Sequence, residues 1–137
     1  MKWFVYALLA MVVFSGMILI FKKLMLMGVK SSVLLFFVFL FGMLFYLSHL
    51  VVTKTSFKVS LVVVLLIVLA AFLSYAGNFL QLKSMELSPN PGYSIGVVSL
   101  QAVVITLGSA LLFHSSLSWI NGIGVALAVV ALVLMGL

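Results

Sequence analysis

The chain has 137 residues, 67% hydrophobic and only 6% charged, with a mean hydropathy of +1.53. A water-soluble domain of that length needs far more polar surface, so the composition excludes one and points to an integral membrane protein. Seven lysines, no arginine and a single acid give a net charge of +6, but the lysines stand singly or in pairs beside apolar runs. That pattern excludes a nucleic-acid-binding face and fits headgroup anchoring and topology control. Without cysteine there is neither a disulfide framework nor thiol chemistry.

The first apolar run, Trp3 to Phe21, lies between Lys2 and the pair Lys22-Lys23. It ends without a small-x-small cleavage pattern and exceeds the usual apolar core of a secretory signal, so it is read as a membrane span. Its residues reach about 28 Å as a helix, enough to cross the hydrocarbon core. Ser15-Gly16 is its polar interruption. Residues 22–32 form the first expected loop. The second span, Val33 to Val52, is rich in Phe and nearly featureless until Ser48-His49, where interfacial hydrogen bonding is expected. Lys54 and Lys58 mark the next loop and the following helix start.

The third span is Val59 to Leu82, and its second half differs from its first. Ser74, Asn78 and Gln81 recur at helical spacing and share one face, flanked by Tyr75 and Gly77. A polar stripe on a spanning helix should turn toward protein or water. Lys83 and Glu86 stand three apart, where a helix end lets them pair, and Ser88-Pro89-Asn90-Pro91-Gly92 then turns the chain.

Gly92 to Phe113 is the fourth span. Gly92 and Gly96 open it, and Gly108 thins its far end, so close approach to neighbouring helices is expected there. Gln101 falls about 15 Å into the helix, near the bilayer midplane, where an amide must either bond a neighbouring helix or face a hydrated cavity. The loop His114 to Ser118 leads to the fifth span, Trp119 to Leu137. Its small residues Gly122, Gly124 and Ala128 form an expected packing seam. The fold expected is all-α: a single polytopic membrane domain over residues 1–137 with five transmembrane helices.

No phosphate-binding G-x-x-x-x-G-K motif occurs, and two separated histidines with one acid make no metal-ligand pattern. A base next to an oriented nucleophile is also missing, so neither catalysis nor a cofactor is expected.

Phe14-Ser15-Gly16 leading to Phe21-Lys22-Lys23, the stretch YAGNFLQLKSMELSPNPGYSIGVVSLQAVVITLGSALLF and the closing LSWINGIGVALAVVALVLMGL together resemble the drug/metabolite transporter superfamily. The resemblance is to one five-helix EamA-like repeat and covers most of the chain. Where that family often has Glu-Pro in the fourth span, this chain has Gln101-Ala102. Where it often has Gly-Glu after that span, this chain has His114-Ser115. Span one also lacks the essential acid of the small multidrug exporters, so proton-coupled export of cationic drugs is not implied. Larger relatives carry two inverted repeats with the substrate path between them. A single copy then implies a dimer, most naturally antiparallel, with one copy inverted relative to the other.

On this reading the chain is a carrier or facilitator of a small metabolite or drug-like solute. Ser15, Ser74, Tyr75, Asn78 and Gln101 are its expected substrate-binding residues. The location is the lipid bilayer of a prokaryotic inner (plasma) membrane. Two alternatives stand beside it: a subunit of a heterodimeric flippase for a lipid-linked group, and a non-transporting assembly protein. With five spans, the N-terminal side collects Lys2, Lys54 and Lys58, and the opposite side Lys22, Lys23, Lys30 and Lys83. That near-balance predicts dual topology.

Overall fold

The computed structural model describes residues 2–56, 58–114 and 118–136, and every regular element among them is helical. α1 is Lys2–Leu26, α2 Ser31–Thr53, α3 Leu61–Leu87, α4 Pro91–Val98, α5 Gln101–Phe113 and α6 Trp119–Gly136. By length and composition α1, α2, α3 and the combined segment Pro91–Phe113 can each cross a membrane. The 18-residue α6 is as apolar. This is an all-helical chain of multi-pass membrane type.

Helix ends follow local chemistry rather than the limits of the apolar runs. α1 continues past Lys22-Lys23 because nothing breaks it before Gly28. There φ reaches +87°, Gly28 N–H bonds the Met25 carbonyl (3.0 Å) and Val29 N–H bonds that of Leu24 (3.1 Å). That is a Schellman stop, and glycine enters its left-handed position without a Cβ penalty. The first loop therefore shrinks to the residues between Leu26 and Ser31. α2 stops the same way, with Thr55 N–H on Leu50 O (3.2 Å) and Lys54 N–H on Val51 O (3.3 Å), but here the left-handed residue is Lys54, φ 51°. α3 starts at Leu61, where the Ser60 hydroxyl accepts the Val63 N–H (3.4 Å) as an N-cap. It runs on to Leu87, since no breaker precedes Pro89. Asn90 caps α4 by accepting the Gly92 N–H at 2.8 Å, with Pro91 preset in the first helical position.

The expected uninterrupted span over 92–113 is two helices. At Ser99-Leu100 the bonding tightens: Leu100 N–H reaches Val97 O (3.1 Å) and Ala102 N–H reaches Ser99 O (3.0 Å), both three residues back. The Ser99 hydroxyl also bonds the Ile95 carbonyl (2.8 Å), and this competition with the backbone favours a bend. Gln101 is the first residue of α5.

The chain forms two compact units, Met1–Glu86 and Leu87–Leu137. In the first, the carboxyl end of α1, the amino end of α2 and the carboxyl end of α3 converge, and its buried residues cluster there: Phe21, Ser31, Leu34, Leu35, Leu82 and Met85. In the second, α6 packs along α4 and more lightly on α5, and Ser94 and Gly96 of α4 are buried. Gly96 leaves room for that approach because it has no side chain.

Candidate functional site: a closed helix end and two clefts

The convergent end of the first unit is held by apolar burial and by polar bonds across long sequence distances. Leu82 and Met85 are essentially inaccessible, at 1% and 0% exposure. Around them, Lys22 Nζ donates to the Met85 carbonyl oxygen at 2.8 Å. That carbonyl lies in the last turn of α3, where helical carbonyls lack intrahelical partners and a cation is favoured by the helix dipole. The Ser31 hydroxyl, 3% exposed, donates to Glu86 Oε2 at 3.0 Å, and Lys83 Nζ lies 2.9 Å from the same oxygen. Glu86 thus joins α3 to the start of α2, and Lys22 joins it to the end of α1. The expected Lys83–Glu86 pair is present; its link to Ser31 depends on a tertiary approach that residue spacing does not encode.

Away from this end the helices stand apart and leave two clefts. One runs between α1 and α2, about 860 Å³, with wholly apolar walls that include Gly16, Phe37, Phe41 and Gly42. The other lies between α2 and α3, about 930 Å³, where Phe39, Met43, Tyr46, Ser74 and Tyr75 face one another. A smaller chamber of about 300 Å³ lies next to it toward the closed end and shares Phe39 and Tyr75 with it.

The expected substrate-binding residues are distributed as follows. Ser74 and Tyr75 line the α2–α3 cleft. Asn78, half-buried one turn further along α3, donates through Nδ2 to the Ser74 carbonyl (2.8 Å) and hydroxyl (3.3 Å). These bonds leave its Oδ1 available to accept. Ser15 sits on α1 beside the other cleft's Gly16, and its hydroxyl bonds its own helix at Met11 O (2.8 Å). Gln101 belongs to the second unit, is exposed, and makes no side-chain hydrogen bond among the described residues.

The small residues show a similar spread. Gly92 lies by its Asn90 cap and Gly96 is buried, whereas a Cβ added at Gly108, Gly122 or Gly124 meets nothing within 4 Å. Ala128 is exposed. Within the described chain, the α6 seam is therefore open.

In the α2–α3 cleft and the chamber the hydroxyls of Ser32, Tyr46, Ser74 and Tyr75 stand beside aromatic walls, and among the described residues no His, Asp and Glu cluster of metal-binding size occurs. Compared with protein-family models, curated proteins and solved structures, the chain matches none.

Proposed function

We propose that the chain is a membrane carrier or facilitator of a small metabolite or drug-like solute, acting as an antiparallel, dual-topology homodimer in a prokaryotic inner membrane. The observation that supports this most is the construction of the first unit: membrane-length helices fastened at one end and separated by clefts along their length, one of which holds Ser74 and Tyr75. A carrier has to close its path toward one face while exposing it to the other, and a one-ended fastening of this kind suits that task. The resemblance to a single repeat of the drug/metabolite transporters adds the second copy, since an inverted partner completes a path that one repeat leaves half-built.

In this reading Ser74, Tyr75 and Asn78 contact solute in the first unit, while Ser15 on α1 and Gln101 in the second unit line neither cleft and are tested separately by substitution. The absence of an acid among them favours neutral or zwitterionic solutes. The test is flux into liposomes holding only the purified protein, assayed with a panel of neutral, zwitterionic and cationic solutes. Flux of a neutral or zwitterionic solute is expected. Flux appearing only with a co-expressed paralogue would replace this reading with the heterodimeric flippase, and none in either case would leave an assembly subunit.

A further inference from the structure

We propose that the chamber between the amino end of α2 and the carboxyl half of α3 is a binding site for the ring of a neutral, elongated amphiphile. The proposal rests on the carrier reading above and names its substrate class. The chamber is lined by Ser32, Leu35, Phe36, Phe39, Tyr75 and Phe79. Four of these six are aromatic. Phe36 and Phe39 are three apart on α2, and Tyr75 and Phe79 four apart on α3, so each pair lies on one side of its helix. Tyr75 and Phe79 stack, with centroids 6.4 Å apart and planes 20° from parallel. Rings set this way present flat faces and edges that a further ring can join by stacking or edge contact.

The chamber lies between the closed helix end and the larger cleft. Leu35, 5% exposed, belongs both to its wall and to the buried cluster at the closed helix end. Beyond lies the bonded set Ser31, Glu86 and Lys83. On the other side Phe39 and Tyr75 also line the cleft of about 930 Å³ that holds Tyr46 and Ser74. A ring takes the small chamber, and a chain or second ring attached to it would lie past Phe39 and Tyr75 in the adjoining cleft.

Charge decides the class further. No lysine, acid or histidine lines either part, and the nearest carboxylate, Glu86, already accepts from Lys83 and Ser31. A charged group seated there is desolvated without a counter-ion, which is unfavourable. A neutral molecule bears no such cost, and the hydroxyls of Ser32, Ser74, Tyr46 and Tyr75 serve a hydroxyl or carbonyl on it.

The experiment uses the full chain in phosphatidylcholine nanodiscs and N-phenyl-1-naphthylamine, a neutral, elongated aromatic whose fluorescence rises in apolar surroundings. Saturable binding above that of empty nanodiscs is expected. The double variant Phe36→Leu/Phe79→Leu should weaken it roughly tenfold by removing two ring faces, whereas Phe72→Leu, on α3 but outside the chamber, should leave it unchanged. Because the chain has no cysteine, Ser32→Cys in an otherwise native protein gives a second measure: the probe should slow its labelling by a maleimide and leave that of Ser60→Cys unaltered. A cationic aromatic, tetraphenylphosphonium, should not displace the probe. Equal affinity in the double variant and Phe72→Leu, no protection of Ser32→Cys, displacement by the cation, or no binding beyond that of lipid alone would each overturn the assignment. Binding as described without solute flux would instead remove the carrier reading and keep the site.

Discussion

Lys22 and Lys23 are adjacent, carry the same charge and mark the same membrane face, yet only the first reaches across to α3. Its ammonium serves the Met85 carbonyl at the closed end, while Lys23 is exposed. Lys22→Met should therefore destabilise the protein by about 1 kcal/mol through a carbonyl left without its charged donor, and Lys23→Met should be near neutral. Thermal unfolding in detergent separates the two, and because each variant loses one positive charge from the same end of α1, a topology effect cancels. Equal melting points would mean that the Lys22 bond contributes nothing. The residues assigned to solute call for a different readout. Asn78 spends its amide donors on Ser74 within its own helix, so Asn78→Leu should insert and fold normally. Gln101→Leu removes an exposed amide and should do the same. Both should abolish or strongly reduce flux in liposomes. Glu86→Gln should not, since the amide oxygen still accepts from Ser31 and the exposed pair with Lys83 is worth little. Loss of flux in Glu86→Gln alone, with the other two active, would move the path away from α3's polar face.

Elements were legible in the sequence as far as their apolar length and their breakers reach. Pro89, Pro91 and Gly28 act within a few residues, and α1, α2 and α3 each run until such a residue or a short polar turn stops them. The break at Ser99-Leu100 is not legible because neither residue is a strong breaker, and the Ser99 back-bond beside it is one that Ser15 and Thr106 also make inside unbroken helices. The pairing of Lys83 with Glu86 could be read because it is local, whereas Lys22 and Ser31 meet α3 only through tertiary approach, which spacing does not encode. The same distinction governs the chamber: each aromatic is visible in the sequence, but which helix faces which is not. Helix ends offer a direct test. His114 caps α5 with φ 49°, a left-handed conformation that costs a Cβ-bearing residue about 1 kcal/mol relative to glycine. His114→Gly should raise stability by about that amount, read from the unfolding midpoint, and His114→Val should lower it. The open α6 seam makes a further prediction. A Cβ added at Gly124 meets nothing within 4 Å among the described residues, so Gly124→Ala should leave the protomer's melting unchanged and the bulkier Gly124→Leu should weaken association between copies. A protomer that melts early instead would show that the seam is filled from within.

At the scale of the whole molecule, what matters is how the chain chooses its orientation. In the first unit, α1 and α3 end where α2 begins, so Lys22, Lys23, Lys30 and Lys83 gather at the fastened end, with Lys2, Lys54 and Lys58 at the other. Glu86 contributes little to such a count, because orientation follows Lys and Arg in short loops rather than net charge. Three against four gives almost no preference, and the N-terminal amine narrows the difference. A chain without a preference should insert both ways, and two inverted copies are what a single-repeat carrier needs to present its path alternately to both faces. C-terminal reporters, one active only outside the cytoplasm and one only inside, should both give signal for the native chain. Two lysines added between Thr53 and Phe57 should hold the N-terminal side in the cytoplasm, and two added between Leu87 and Asn90, past the end of α3, should hold the opposite side there. Each variant expressed alone should lose flux, since all its copies then point one way. Expressed together they should recover it, each supplying the orientation the other lacks. A native chain that lights only one reporter has a fixed topology, and the inverted homodimer is then excluded whatever the flux.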